Sequence, residues 1–382
     1  MFGTRAYLPA LLGYHYLVER VTGGKALPKE VVRQITRKTD GVPLFVEELT
    51  KMVMESHLVR EVEDHYELSG PLPPLAIPST LQDSLMARLD RLAPVREIAQ
   101  IGATLGREFD YALLQAVSPL PPDTLHHGLR QLVEAELIYQ TGVPPQARYV
   151  FKHALVQDTA YQSLLKSRRQ QLHQHVGQVL VERFPELVET QPEVLAHHYT
   201  AAGLSAQALP YWQQAGHRAA QRSANAEAIS HFTRGLELLK TFPDTPERAQ
   251  QELGLQVALG APLIATKGHS VPEVGKVYTR ARELCQQVGE SPQLFPVLLG
   301  LWRFHWVRAE LQTAQELGEQ LLRLAQSMRD PALLLEAHYA LGTTLLILGE
   351  LAAAHEHLEQ GLILYHPPPP LPRRPLWRWP KP

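Results

Sequence analysis

From residue 192 onward the chain repeats itself, and that self-similarity restricts the fold more than any other feature. Gly235, Ala281, Leu321 and Gly361 occupy equivalent places, stepping by 46, 40 and 40 residues. Periods of this size belong to stacked helical hairpins, in which each unit can bury its apolar face only against its neighbours. Small residues stand where paired helices must cross closely and large ones fill the gaps. Trp212, Gly216, Ala228 and Phe232 set that pattern, and Gly342, Ala354 and Leu358 repeat it. The spacing predicts an α-α superhelical solenoid over 192–365, whose concave face suits a protein or peptide partner.

Upstream of the repeats the signals are those of short helices. Residues 28–39 read as a helix opened by Pro28, with Val31, Val32 and Ile35 on one face. Gly41 fits the left-handed position that ends it, and Pro43 fits the first turn of the next helix, 44–55. There Phe45, Leu49, Met52 and Val53 share one side, while Glu47 and Glu48 lie near the positive N-terminal end. Residues 67–78, ELSGPLPPLAIP, form a Pro-rich connector. Ser79 and Gln82 then make a capping box, and Leu81, Leu85, Leu89 and Leu92 continue as one stripe. A helix opened by Pro94 and ending near Gly106 follows. The next is capped by Asp123 and carries Leu125, Leu129, Leu132 and Val133. Strands at 138–140 and 148–151 and a helix from Ala154 complete the set. Helix, helix, helix, β-hairpin is the order of a winged helix-turn-helix, here over 79–186.

Charge argues against the DNA-binding use of such a module. Residues 79–186 hold 11 Lys plus Arg and 11 Asp plus Glu, and the expected recognition helix has Asp123, Glu134 and Glu136 against Arg130 alone. A DNA reader needs several basic groups on one face to meet phosphates. The whole chain is also nearly balanced, at -2. No nucleic-acid or membrane partner is expected. Even the apolar run 333–348 is interrupted by Glu336 and His338. Cys285 is the single cysteine, which excludes an intrachain disulfide and fits a reducing, cytoplasmic setting. The histidine pairs His126/His127, His173/His175, His197/His198 and His355/His357 are one or two residues apart and so face different sides of a helix. No metal site is expected from them.

The ordered set DGVPLFVEEL, SLMARLDRL, ATLGREFDYALL and FKHALVQDTAY resembles the back half of bacterial STAND-type ATPases, AAA-like signalling NTPases often fused to a class III adenylate or guanylate cyclase domain. The repeats are similar to tetratricopeptide (TPR) units, whose usual period is about 34 residues, and more so to the long-helix repeats of STAND activators. The resemblance covers about 20–365. It implies a mainly α chain: residual ATPase lid helices in 1–66, a winged helix in 79–186 and TPR-like repeats in 192–365; beyond it, composition makes 366–382 a disordered Pro/Arg/Trp-rich tail. It also implies that Gly41 and Pro43 pack on an adenine and that His153 reaches the β-phosphate of ADP, an imidazole being able to donate to a phosphate oxygen.

The phosphate-binding half of such an ATPase is not in this sequence. TGGKA at 22–26 fails as a phosphate loop, since Glu19 replaces the first glycine and Ala26 the hydroxyl that would bind Mg²⁺. No apolar strand ends in paired carboxylates, and LGRE at 105–108 is a chance imitation of a family signature that belongs ahead of the phosphate loop. No catalytic residue is therefore assigned. One charge-assisted bond from His153 plus partial adenine packing gives about 4 kcal/mol, or about 1 mM. ATP or ADP would bind usefully only with an upstream ATPase half. The expected role is regulatory: a nucleotide-sensing lid and winged helix coupled to a partner-binding solenoid. A DNA-binding regulator and a nucleotide-independent TPR adaptor are the alternatives. The tail fits either an SH3-type ligand at Pro369, Pro372 and Arg374 or a frameshifted gene. A truncated array is expected to expose the 341–364 hairpin and to self-associate.

Overall fold

The computed structural model describes residues 16–39, 42–55, 58–70, 80–91, 93–289 and 291–365. The chain divides into two compact units, Met1–Phe184 and Pro185–Pro382. Both are mainly helical, and among the described residues the sheets are small and lie in the first.

In the first unit, helices α1 (Lys29–Thr39) and α2 (Pro43–Glu55) pack by their apolar sides, burying Val31, Ile35, Phe45, Leu49, Met52 and Val53 together with Val18 and Leu27. A β-hairpin of β1 (Val59–Val62) and β2 (His65–Leu68) closes this core and was not expected from sequence. Its strands are four residues long and partly exposed, too short for an alternating pattern to stand out. The Pro-rich segment 71–79 lies outside the described residues, as do Gly41, Ser79 and the 366–382 tail. At the next helix the hydroxyl of Thr80 accepts from the Asp83 N–H at 3.0 Å, the bond expected of a cap.

Helices α3 (Leu81–Arg91) and α4 (Ala93–Leu105) lead into β3 (Glu108–Asp110), α5 (Tyr111–Val117), α6 (Pro122–Glu134), β4 (Ile138–Thr141), β5 (Arg148–Phe151), α7 (Ala154–Gln162) and α8 (Lys166–Arg183). Leu85 and Leu89 are buried as their stripe predicts, and so are Leu125, Leu129 and Leu132. Asp123 does not cap α6. The cap position is Pro121, and Asp123 lies in the first turn, where its charge still meets the positive helix end. The sheet has three antiparallel strands in the order β3-β5-β4, with Phe109 opposite Tyr149 and Ile138 opposite Phe151. Strand β3 begins at Glu108, inside the string read as a chance imitation. It anchors Phe109, whose ring lies so close to Gly102 that a Cβ there would stand 2.8 Å away.

The second unit is a succession of antiparallel helices: α9 (Pro185–Thr190), α10 (Pro192–Ala202), then four hairpins, α11 (Ser205–Gln221) with α12 (Asn225–Leu239), α13 (Pro246–Lys267) with α14 (Pro272–Val288), α15 (Leu294–Val307) with α16 (Leu311–Met328), and α17 (Pro331–Leu348) with α18 (Leu351–Leu364). It is a TPR-like solenoid by its packing. Gly235, Ala281, Leu321 and Gly361 all fall on second helices, so the repeat register read from sequence is the register of the fold.

The crossings explain the small residues. A Cβ on Gly216 would lie 2.4 Å from the Phe232 ring, and one on Gly342 would lie 2.8 Å from Leu358. Gly260 and Gly300 approach Tyr278 from two sides in the same way. Helix α17 departs from the expectation that no segment could span a membrane. At 18 residues it is long and apolar enough by length and composition, because two polar side chains in a helix do not offset so many aliphatic ones. Here Ala337, Ala340, Leu341, Gly342, Thr344 and Leu345 of α17 are buried. The last hairpin leaves Leu346, Ile347, Leu351, Leu362 and Ile363 each at least half exposed among the described residues.

Candidate functional site

The two carboxylates that follow Pro43 organise the first unit. Helix α2 turns Glu48 inward among Phe45, Leu49 and Met52, and its side chain is 1% exposed. A carboxylate can remain charged there only if a cation comes with it. Arg88 of α3 supplies the charge, with its own side chain 2% exposed. One guanidinium nitrogen donates to Glu48, and another donates to the Ala135 carbonyl at 2.6 Å and to Glu55 at 3.3 Å. A single side chain thus fastens α2 and α3 to the end of α6.

Glu47, one residue earlier, points to the rim and joins a ring of four charges. Its Oε1 accepts from Lys51 at 2.8 Å and from Lys152 at 3.0 Å. Lys152 also donates to Glu136 at 2.9 Å, and Lys51 closes the ring to the same carboxylate. Hydrogen bonds from the two lysines hold the Glu136 carboxyl down at about 2. For Glu47, burial works upward but the same two lysines outweigh it, and its carboxyl lies below the usual range. Burial alone would lower Lys152; bonding to Glu136 and Glu47 carries it well above an ordinary lysine. With the Glu136 carboxyl held low and the Lys152 ammonium held high, these two groups keep their charges near pH 7. The ring ties α2 to the end of α6 and to Lys152, just ahead of α7. Over it opens a cleft of about 380 Å³ that also presents Leu17, Arg20, Val21 and Tyr139.

Of the residues assigned to nucleotide by resemblance, Gly41 is outside the described residues. Pro43 occupies the exposed first turn of α2, and His153 is the cap residue of α7, half-buried and extended at φ -131 and ψ 145. The His153 side chain makes no cap bond, and its Nε2 is buried with no hydrogen-bond partner. Pro43 and His153 lie on segments that are tied together, because Glu47 is one turn along the helix from Pro43 and Lys152 immediately precedes His153.

Sequence reasoning missed this ring, and what marks Glu136 is a backbone angle that only the structure shows. Glu136 sits just past α6 with φ 53, in the left-handed region where glycine or asparagine is the usual choice. A glutamate there bears local strain, and its carboxylate meets Lys51 and Lys152. Histidine pairing was missed as well. His338 and His357 meet across α17 and α18, with their Nδ1 atoms 3.0 Å apart, a separation of 19 residues that neighbour-by-neighbour reading does not reach.

A family model described as a domain of unknown function, DUF8739, matches residues 15–66. Among curated proteins, an uncharacterized protein of Rhizobium meliloti (strain 1021) is 26% identical over 344 residues, 89% of this chain and 33% of that protein. The chain therefore spans about a third of the length of the curated relative it matches. Among solved structures, a Signal Transduction ATPase with Numerous Domains (STAND) protein with a tetratricopeptide repeat sensor, from Pyrococcus horikoshii, is similar over 93% of this chain and 59% of that one, with TM-score 0.36 and 10% identity. A kinesin light chain of Podosopora anserina with nearly identical TPR-like repeats is similar over 53% of this chain and 88% of that one, with TM-score 0.30 and 18% identity. BtubC (BKLC) from P. vanneervenii is similar over 78% and 99%, with TM-score 0.24 and 14% identity. At these scores the superpositions are loose, and the hairpin array stands on its own packing.

Proposed function

We propose that this chain is the regulatory and protein-binding portion of a STAND-type signalling ATPase. On this reading residues 1–66 are lid elements, residues 79–186 are a winged helix, and the TPR-like solenoid takes a protein or peptide partner in the cytoplasm. The observation that carries the nucleotide arm is the unbonded, buried Nε2 of His153. Buried polar atoms in folded proteins are nearly always bonded, and an orphan costs about 1–3 kcal/mol. A phosphate oxygen of ADP would satisfy it.

Lys152, next in the chain, would carry that event to α2 through Glu47. ADP bound against His153 would hold the lid and winged helix together, and a partner on the solenoid would favour the loosened state. Such coupling requires the two ligands to prefer different conformations. The test joins this chain to an upstream ATPase half and measures ADP affinity by titration calorimetry. His153→Ala is expected to weaken ADP at least tenfold. Unchanged affinity removes His153 from the mechanism.

A further inference from the structure

A second cleft, of about 680 Å³, lies wholly within residues 18–37 and is independent of the nucleotide reading. One wall is a face of α1 carrying Lys29, Val32, Arg33, Thr36 and Arg37; the other is formed by Val18, Glu19, Lys25, Ala26 and Leu27. Lys29, Arg33 and Arg37 recur at every fourth residue, so on a helix they form one stripe of about 12 Å. All three are exposed, and none has an ion-pair partner among the described residues. Lys25 is committed to Glu61. Against the three free cations the cleft offers one carboxylate, Glu19. Val18 and Leu27, both buried, with Val32 beside the cations, make an apolar floor. The volume falls in the range of small-molecule sites, which pair an apolar lining with a few polar anchors. A flat protein partner would use the stripe and leave the floor unfilled.

We infer that this cleft binds a small anionic amphiphile, with a phosphate head on Arg33 and Arg37 and an apolar body on Val18, Leu27 and Val32. Guanidinium groups favour phosphate because their fixed donors match its oxygens. The head could belong to a soluble alkyl phosphate or to an anionic lipid, and the chemistry read by the cleft is the same.

The test titrates the full chain with octyl phosphate below its micellar concentration, and with ethyl phosphate as the head alone. Octyl phosphate is expected to bind one per chain, at least tenfold tighter than ethyl phosphate. R33E/R37E is expected to weaken it at least tenfold while leaving the circular dichroism unchanged, since both side chains are exposed. Vesicles containing phosphatidic acid give the second arm: retention that R33E/R37E abolishes assigns the lipid source, and lack of retention with octyl phosphate still bound assigns the soluble one. Equal affinity for the two phosphates, indifference to the charge reversal, or no saturable binding overturns the proposal.

Discussion

Lys152 donates to Glu47 at 3.0 Å across 105 residues of chain, and so couples the residue before His153 to the helix that begins at Pro43. The pH dependence of this tie follows from its carboxylates. Glu136 has a folded value of about 2 against about 4.3 unfolded, and Glu47 is lowered in the same sense. A depressed carboxylate contributes stability that is complete above its unfolded value and is lost as pH falls through its folded one. The ring should therefore hold the first unit at pH 5 and above and release it progressively toward pH 2. Urea midpoints of the first-unit transition, compared between wild type and E47Q/E136Q, should differ at pH 7 and converge near pH 2. A gap that persists at pH 2 would assign the difference to packing instead.

Arg88 joins α2, α3 and the end of α6 through one side chain. Arg88→Ala leaves the Glu48 carboxyl buried without its cation and the Ala135 carbonyl without the guanidinium bond, a situation that costs about 3–5 kcal/mol. The double substitution E48L/R88M, of similar volume and without charge, should recover most of that loss. Denaturant titration of wild type and the two variants checks the ordering; if the double substitution is as unstable as Arg88→Ala, the buried pair contributes more than mutual neutralisation.

The hairpin array was legible because helix crossings impose a requirement at each single position: a residue must be small where a ring from the facing helix passes. Within one unit Gly216 is the small residue and Phe232 the ring that passes it, and the steps between Gly235, Ala281, Leu321 and Gly361 located the second helices. The two-sided placements were not legible. Strand β3 has only Phe109 turned inward, and three residues cannot display an alternation. The β1–β2 hairpin is polar on most of its surface. The charged ring joins residues 47, 51, 136 and 152, and a linear reading assigned Glu47 and Glu48 to the local helix dipole. What distinguished Glu48 was its place in the apolar stripe of α2, a carboxylate where a core residue belongs.

Glycines on one solenoid should separate by what faces them. A methyl group on Gly216 would enter the Phe232 ring at 2.4 Å, while one on Gly254, within α13, would meet nothing within 4 Å. Gly216→Ala is expected to destabilise the solenoid by about 1–3 kcal/mol through overpacking. Gly254→Ala should stabilise it by up to about 1 kcal/mol, because alanine loses less backbone freedom in a helix. Thermal melts of the two variants test the contrast, and a shift of the same sign in both would show that helix propensity, not the crossing, controls the position.

Trp302 and Thr344 provide the corresponding test for polar groups in the solenoid. The indole N–H of Trp302 donates to the Thr344 hydroxyl at 2.9 Å, and both side chains are buried. That hydroxyl in turn donates to the Ala340 carbonyl at 2.8 Å, so it has little freedom to turn elsewhere. Thr344→Val keeps the shape but leaves the indole N–H without an acceptor, which costs about 1–3 kcal/mol. Trp302→Phe removes the donor and some packing. Because the two residues share one bond, W302F/T344V should cost less than the two single changes added together. Strict additivity in chemical denaturation would mean that the indole finds another partner when the threonine is gone.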